Sequence, residues 1–325
     1  MNAAQSPQTL LVTGGAGFIG SHLCDALHDA GHTVVCVDDL SQGRREYLGR
    51  LFDQPRFSFC ECDLVDGRAF GEVFDRHGPF DAVFHLAANS DIRSGIEDPG
   101  VDLQRTFNTT VAVLAKIREL PAPRLVFAST SAVYGERQTP AGEDSGPLEP
   151  ISPYGAAKLA AEAYISAFSA CYGVQAWVVR FPNVVGPRST HGVVHDFIHK
   201  LVSTPDTLHV LGDGRQSKPY LYVGDLIDAI LFIWTRARAR YNCFNVGVDS
   251  TTTAARIAEI VREEMKLPDA RIVYSGGDRG WVGDVPRFQY DLSRIHRLGW
   301  RARRSSDEAV RLAVKAELEL LGVRA

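Results

Sequence analysis

In the first 180 residues the hydrophobic positions fall into two patterns. One is a short, nearly unbroken apolar run: Thr9 to Thr13, Thr33 to Asp38, Phe57 to Glu61, Asp81 to Ala87, Arg124 to Ser129 and Gln175 to Phe181. Unbroken runs, as opposed to alternating ones, are what strands covered on both faces require. The other pattern is amphipathic, over Phe18 to Ala30, Gly67 to Arg76, Val101 to Glu119 and Pro153 to Tyr172, and predicts helices. Strands and helices alternating in this way predict an α/β fold with a doubly wound parallel sheet of the Rossmann type.

After Pro187 the pattern loosens. Helices are expected near Val193 to Val202, Asp225 to Arg238, Thr253 to Met265 and Ser305 to Leu321, and Phe244 to Gly247 reads as a last strand returning to the sheet. The expected organisation is a dinucleotide-binding domain over residues 1–186, joined by roughly 217–247. Residues 187–216 and 248–325 are expected to form a smaller, mixed substrate-binding lobe. The arginine-rich stretch Arg294 to Arg304 reads as a solvated face, as charge runs usually are.

Composition narrows the function classes. The chain has 325 residues, 45% of them hydrophobic and 23% charged, which excludes a disordered or collagen-like chain. Its net charge of −4 advertises neither a nucleic-acid nor a membrane partner. No apolar stretch reaches the roughly 20 residues of a membrane helix, and Met1 to Gln8 lacks a signal-peptide pattern, so a cytoplasmic location is expected. Cysteines 24, 36, 60, 62, 171 and 243 are scattered. They read as reduced, mostly buried thiols, and no metal site is expected because two neighbouring thiols alone are an incomplete ligand set.

Two sets of residues carry chemistry. Thr9 to Gly20 reads T-L-L-V-T-G-G-A-G-F-I-G, a strand running into Gly14, Gly17 and Gly20 and then a helix. The glycines allow a tight turn and close approach to a pyrophosphate, which the helix N-terminus attracts. Asp38, at the end of the second strand, suits the ribose hydroxyls of NAD and would repel the 2′-phosphate of NADP; Arg44 and Arg45 follow it and could neutralise such a phosphate. Asp63 and Leu64 either bracket the adenine, or Asp63 caps the next helix. In the second set, Tyr154 and Lys158 share a helix face, and an ammonium beside a phenol should draw its pKa from about 10 toward neutrality. Ser129, Thr130 and Ser131 lie at the end of the preceding strand, the edge where such sheets place ligands.

With these motifs in view the chain resembles the extended short-chain dehydrogenase/reductases, and within them the nucleotide-sugar epimerases. The resemblance spans nearly the whole chain. It rests on T-G-G-A-G-F-I-G at Thr13 to Gly20, D-D-L-S-Q-G at Asp38 to Gly43, H-L-A-A at His85 to Ala88, S-T-S-A-V-Y-G at Ser129 to Gly135, Y-G-A-A-K at Tyr154 to Lys158, R-F-P-N-V-V-G-P-R at Arg180 to Arg188, and G-D-G-R-Q-S-K-P-Y-L-Y-V-G-D at Gly212 to Asp225.

The resemblance implies bound NAD, a UDP-sugar substrate and a homodimer built on the helices near Val101 to Glu119 and Pro153 to Tyr172. The implied NAD contacts are Gly14, Gly17, Phe18, Ile19, Gly20, Asp38, Leu40, Ser41, Gly43, Asp63, Leu64, Leu86, Ala87, Ala88, Ser129, Tyr154, Lys158, Phe181 and Pro182. Thr130, aligned through Val133-Tyr134-Gly135, is the implied catalytic hydroxyl beside Tyr154 and Lys158. Substrate contacts fall on Arg93, Thr130, Ser131, Asn183, Arg188, Val194, Leu211, Lys218, Tyr220 and Arg279, with core packing the alternative for Leu211 and Tyr220.

The chain departs from the family pattern in places. Lys218 and Pro219 replace an arginine and an acid, Trp281 stands where an arginine precedes Gly-Asp, and Thr106 aligns with a helix asparagine while Asn108 lies two residues on. Ala132 stands near where sugar dehydratases and decarboxylases carry a glutamate, which favours plain 4-epimerisation of UDP-glucose/UDP-galactose or UDP-glucuronate/UDP-galacturonate. The alternatives are a nucleotide-sugar dehydratase, decarboxylase or reductase, or a non-catalytic nucleotide-binding protein.

Overall fold

The computed structural model describes residues 6–281 and 283–323. Met1 to Gln5 of the polar N-terminal stretch lie outside the described residues. Seven strands form one sheet: β1 (Thr9–Thr13), β2 (Thr33–Asp38), β3 (Phe57–Glu61), β4 (Ala82–His85), β5 (Arg124–Thr130), β6 (Gln175–Phe181) and β7 (Tyr241–Asn245). Their spatial order is β7-β6-β5-β4-β1-β2-β3, and β1 pairs in parallel with both β2 and β4. Strand order therefore reverses at β1, the switch point at which doubly wound sheets bind dinucleotides. β1, β2, β4 and β5 are almost wholly buried, as their unbroken apolar runs require.

The longer helices are α1 (Phe18–Asp29), α2 (Gly67–His77), α3 (Thr109–Ile117), α4 (Pro153–Tyr172), α5 (Val193–Ser203), α6 (Val223–Arg236), α7 (Ala254–Glu264) and α8 (Ser306–Leu320). α4 is bounded by local chemistry. The Ser152 hydroxyl accepts from the Gly155 N–H, Pro153 takes the first helical position, and Gly173 ends the helix at φ +72°. Among the described residues no helix is long and apolar enough to cross a membrane.

Two expectations from the sequence need correction. The helix expected over Val101 to Glu119 is broken into a turn at Pro99–Asp102, a π-helical segment at Leu103–Asn108, and α3. Here Thr109 Oγ1 donates to the Arg105 and Thr106 carbonyls and Thr110 Oγ1 to the Thr106 carbonyl, bonds that support a wider turn. The last strand starts at Tyr241, earlier than expected. The arginine-rich stretch is a largely solvated face, with Arg297, Arg301 and Arg303 exposed; within it Arg303 pairs with Asp228, and Arg304 with the buried carboxylate of Asp225 at 2.8 Å.

The chain divides into two compact units. The first comprises residues up to Val133, Ser152–Val179 and Ile233–Cys243; the second comprises Tyr134–Ile151, Arg180–Phe232 and the chain from Phe244 onward. The first is built on one core of Leu11, Val35, Phe70, Val83, Phe127 and Val178. The second has its own, where α5, α7 and α8 contribute Ile198, Ile257, Val261, Val310 and Val314. All six cysteines are free; Cys24, Cys36 and Cys62 are buried and Cys171 is exposed.

Candidate active site

In the first unit the glycine loop is shaped by close approach. Gly14 has φ +69°, and a Cβ there would sit 2.6 Å from the Ala87 nitrogen; one on Gly20 would sit 2.0 Å from the Gly14 oxygen. Gly17 is the N-cap of α1 and offers no side chain, leaving the amides of Phe18, Ile19 and Gly20 uncapped by any side chain at the positive end of the helix. Asp38 is buried. Its carboxylate accepts from the Ala16 and Leu40 amides at 2.9 Å each, so it ties the glycine loop to the β2 loop. Burial raises its pKa and the two amides oppose the rise.

The rest of that loop is equally tight. Leu40 adopts φ +58°, Ser41 Oγ donates to Asp39, and a Cβ on Gly43 would meet the Asp38 carboxylate at 2.5 Å. The Arg45 guanidinium stacks 4.8 Å from the Phe52 ring centre and 5.0 Å from that of Phe59, which engages one of the two cations next to Asp38. Asp63 is not a helix cap. It accepts from the Val65 amide, whereas Asp66 caps α2; Leu64 beside it is buried. Leu86, Ala87 and Ala88 follow β4 and are half-buried.

Tyr154 and Lys158 lie on successive turns of α4. The Tyr154 hydroxyl is hydrogen-bonded to Thr130 at the end of β5, and Thr130 Oγ1 also accepts from the Ala132 amide at 3.1 Å. The effect of Lys158 on the phenol is not the one expected from the sequence. Its Nζ donates to the Ala128 carbonyl at 2.7 Å and stands 6.0 Å from the Tyr154 ring centre. Burial pushes Tyr154 up to about 12, with the Thr130 bond opposing it, and burial pulls Lys158 down to about 7 against the carboxylates of Glu162 and Asp102. In the chain by itself the phenol therefore stays protonated at neutral pH.

Glu162 was not singled out from the sequence, although it sits one turn beyond Lys158 and helical spacing could have found it. It is buried and accepts from the Ser129 hydroxyl, so Ser129 is engaged within the protein. Ser131 opens a short 3₁₀ turn, and Arg93 is exposed on the helix Ile92–Glu97.

In the second unit, Asn183 and Tyr220 are register partners on two short parallel strands and are hydrogen-bonded through their side chains. Leu211 and Tyr220 behave differently: Tyr220 is 8% exposed within the core cluster, whereas Leu211 is 46% exposed and is not core. Val194 is likewise a core residue. Lys218 forms an ion pair with the buried Asp284, and Arg279 pairs with Glu136 at 2.6 Å, so both of these expected substrate contacts are engaged by acids that sequence reasoning did not single out. Arg188 adopts φ +69°, Pro182 is buried and Phe181 half-buried. Gln216, also missed, donates to the Leu211 carbonyl at 3.2 Å while its own buried carbonyl oxygen has no partner. It lines a cleft of about 440 Å³ together with Arg137, Arg215 and Arg287.

Comparison with known proteins decides the family. Residues 10–247 match the model of the NAD dependent epimerase/dehydratase family. The chain belongs to this family. It is 32% identical over 318 residues to the UDP-glucose 4-epimerase of Mycolicibacterium smegmatis, covering 94% of this chain and 97% of that protein. It is 31% identical over 321 residues to the UDP-glucuronate 4-epimerase of Thermodesulfobacterium geofontis, covering 96% and 97%. A crystal structure of a UDP-galactose 4-epimerase superposes with a TM-score of 0.85 at 37% identity, covering 96% of this chain and 99% of that one.

Membership makes NAD the cofactor of this epimerase/dehydratase chain, and the first unit fits it. The cradle at Gly14 and Gly20 has no room for a side chain, and each Asp38 oxygen keeps a lone pair beyond the amide it accepts. Asp38→Asn should therefore lose a charge-assisted bond to the cofactor. Such a bond is worth about 1.5–3 kcal/mol, roughly ten- to a hundredfold in NAD affinity. Titration of NAD and NADP into both proteins checks this; an unchanged NAD to NADP preference would remove Asp38 from the ribose site.

Proposed function

We propose that the chain is an NAD-dependent 4-epimerase of a UDP-sugar. The observation that carries this reading is the Thr130–Tyr154 hydrogen bond beside Ala132. That arrangement presents one proton-transfer group, and the neighbouring position carries a methyl that can exchange no proton. In this reading the sugar's C4 hydroxyl takes its place between Thr130 and Tyr154. Here Tyr154 acts as the phenolate, its own proton given up to solvent in the NAD-bound protein, so it receives the hydroxyl proton as C4 is oxidised and returns it once the 4-keto sugar has presented its other face. Thr130 holds the C4 oxygen during both transfers, and Lys158, through the Ala128 carbonyl, holds the end of β5 to α4. NAD, when bound, supplies the hydride acceptor and donor and, in its oxidised form, a positive charge.

In the same reading Asn183 and Tyr220 contact the nucleotide, and Leu211, exposed and apolar, packs on the uracil. The diphosphate falls to Lys218 and Arg279 once Asp284 and Glu136 share them. The test is incubation of the purified protein with UDP-glucose, UDP-galactose, UDP-glucuronate and UDP-galacturonate, followed by separation of the products. Interconversion within one of these pairs, with no net NADH, is expected. Released CO₂, a 4-keto-6-deoxy product or accumulating NADH would replace the epimerase reading with a decarboxylase, dehydratase or oxidoreductase one.

A further inference from the structure

Within the second unit, α5 packs against α8, and one polar cluster stands out beside the apolar contact they share. His195 and His199 are four residues apart on α5 and so lie on one face of it. Glu317 reaches them from α8, 122 residues away from His195 in the chain. Its carboxylate is 6% exposed, an unusual place for an acid, and among the described residues its ion-pair partners are the two histidines. A single oxygen, Oε1, lies 2.9 Å from His195 Nδ1 and 3.4 Å from His199 Nε2, and the two imidazole rings are 4.0 Å apart between centres.

A His195–Glu317 hydrogen bond alone does not account for the cluster. The His199 Nε2 is shielded from solvent and makes no hydrogen bond, although it is aimed at the same carboxylate oxygen. Orphaned buried nitrogens are costly, and an imidazole lone pair has two remedies, a proton donor or a metal. All three candidate donor atoms lie within 4.8 Å of one another. Around a tetrahedral ion with bonds near 2.0–2.1 Å, donor atoms stand about 3.3 Å apart, so a small closure of the rings suffices.

We propose that His195, His199 and Glu317 bind one divalent transition-metal ion, with zinc the best match to two imidazoles and a carboxylate. A fourth position is left to water, because both histidines are partly exposed. Both helices belong to the same core, so the ion acts as a clasp between α5 and α8, and its binding stabilises the folded chain. The site is separate from the residues assigned to NAD and to the chemistry, so it stands or falls independently of the epimerase reading.

The experiment is titration of Zn²⁺ into tag-free, chelator-treated, full-length protein at neutral pH against a coloured zinc indicator. One ion per chain with a Kd on the order of micromolar or tighter is expected. His199→Ala and Glu317→Gln should each weaken it by at least about tenfold. Zinc should raise the melting temperature of the native chain and leave that of His199→Ala unmoved; since His199 is partly exposed, this variant keeps the fold. Because Cys60 Sγ lies 3.5 Å from His77 Nε2, a competing thiolate site must be told apart. Co²⁺ in the proposed site gives visible d–d bands without a sulfur charge-transfer band. Absence of binding, binding that survives in a His195→Ala, His199→Ala double variant, or a cobalt–thiolate band would each overturn the assignment.

Discussion

Tyr154→Phe should abolish sugar epimerisation while leaving the protein folded and able to bind NAD. The substitution deletes one oxygen and keeps the ring, so packing along α4 and the cofactor surface is retained. The lost hydroxyl is the group bonded to Thr130. Lys158 Nζ is held by the Ala128 carbonyl, Ser129 by Glu162, and the next residue along from Ser131 is an alanine. General acid–base catalysis contributes roughly 10²–10⁴-fold, so kcat should fall by about a thousandfold or more. The readouts are turnover of the active UDP-sugar and, separately, NAD affinity. Turnover within about twofold of the native rate would refute Tyr154 as the proton-transfer group, whereas loss of both turnover and NAD binding would point to a structural role.

Gly20→Ala should be the most damaging single-methyl change in the cofactor half. The added carbon would stand 2.0 Å from the Gly14 oxygen, 2.7 Å from the Gly15 Cα and 2.9 Å from the Gly14 carbonyl carbon. All three are backbone atoms, so no side-chain rotation relieves the clash; α1 must lift away from the loop that follows β1. Overpacking of this kind costs about 1–3 kcal/mol. Moving the first turn of α1 would also misalign the amides proposed to face the pyrophosphate. Gly17→Ala is the informative control, because its methyl would come no nearer than 3.3 Å to the Gly14 oxygen and its φ of −76° suits any residue. Thermal unfolding and NAD titration should show Gly20→Ala less stable and much weaker in binding, with Gly17→Ala nearer to native. Native-like binding by Gly20→Ala would mean that the dinucleotide does not sit on this turn.

The first six sheet strands, α1, α2 and α4 were legible because their signals are local. Unbroken apolar runs mark buried strands, glycines mark a turn where a Cβ has no room, and Ser152, Pro153 and Gly173 bound a helix through their own backbone chemistry. The break at Leu103–Asn108 was not legible, since the hydroxyls of Thr109 and Thr110 support a π turn only when they face particular carbonyls.

For the candidate site, sequence alone determined which residue types share an element: Tyr154 with Lys158, Thr130 with Ser129, and Asp38 at the end of its strand. Tertiary structure decided their electrostatic state. The short spacing of Tyr154 and Lys158 suggested a phenol drawn toward neutrality, yet the folded chain points the ammonium at the Ala128 carbonyl and burial raises the phenol to about 12. Lys218 and Arg279 read as substrate contacts and are paired by Asp284 and Glu136; Leu211 and Tyr220 read alike and are exposed and buried respectively. His195 and His199 carried no signal until Glu317 was folded against them. The physical reason is common to all these cases. Backbone conformation and helical facing depend on neighbours along the chain, whereas desolvation and charge pairing depend on neighbours in space, and those exist only after the chain has folded.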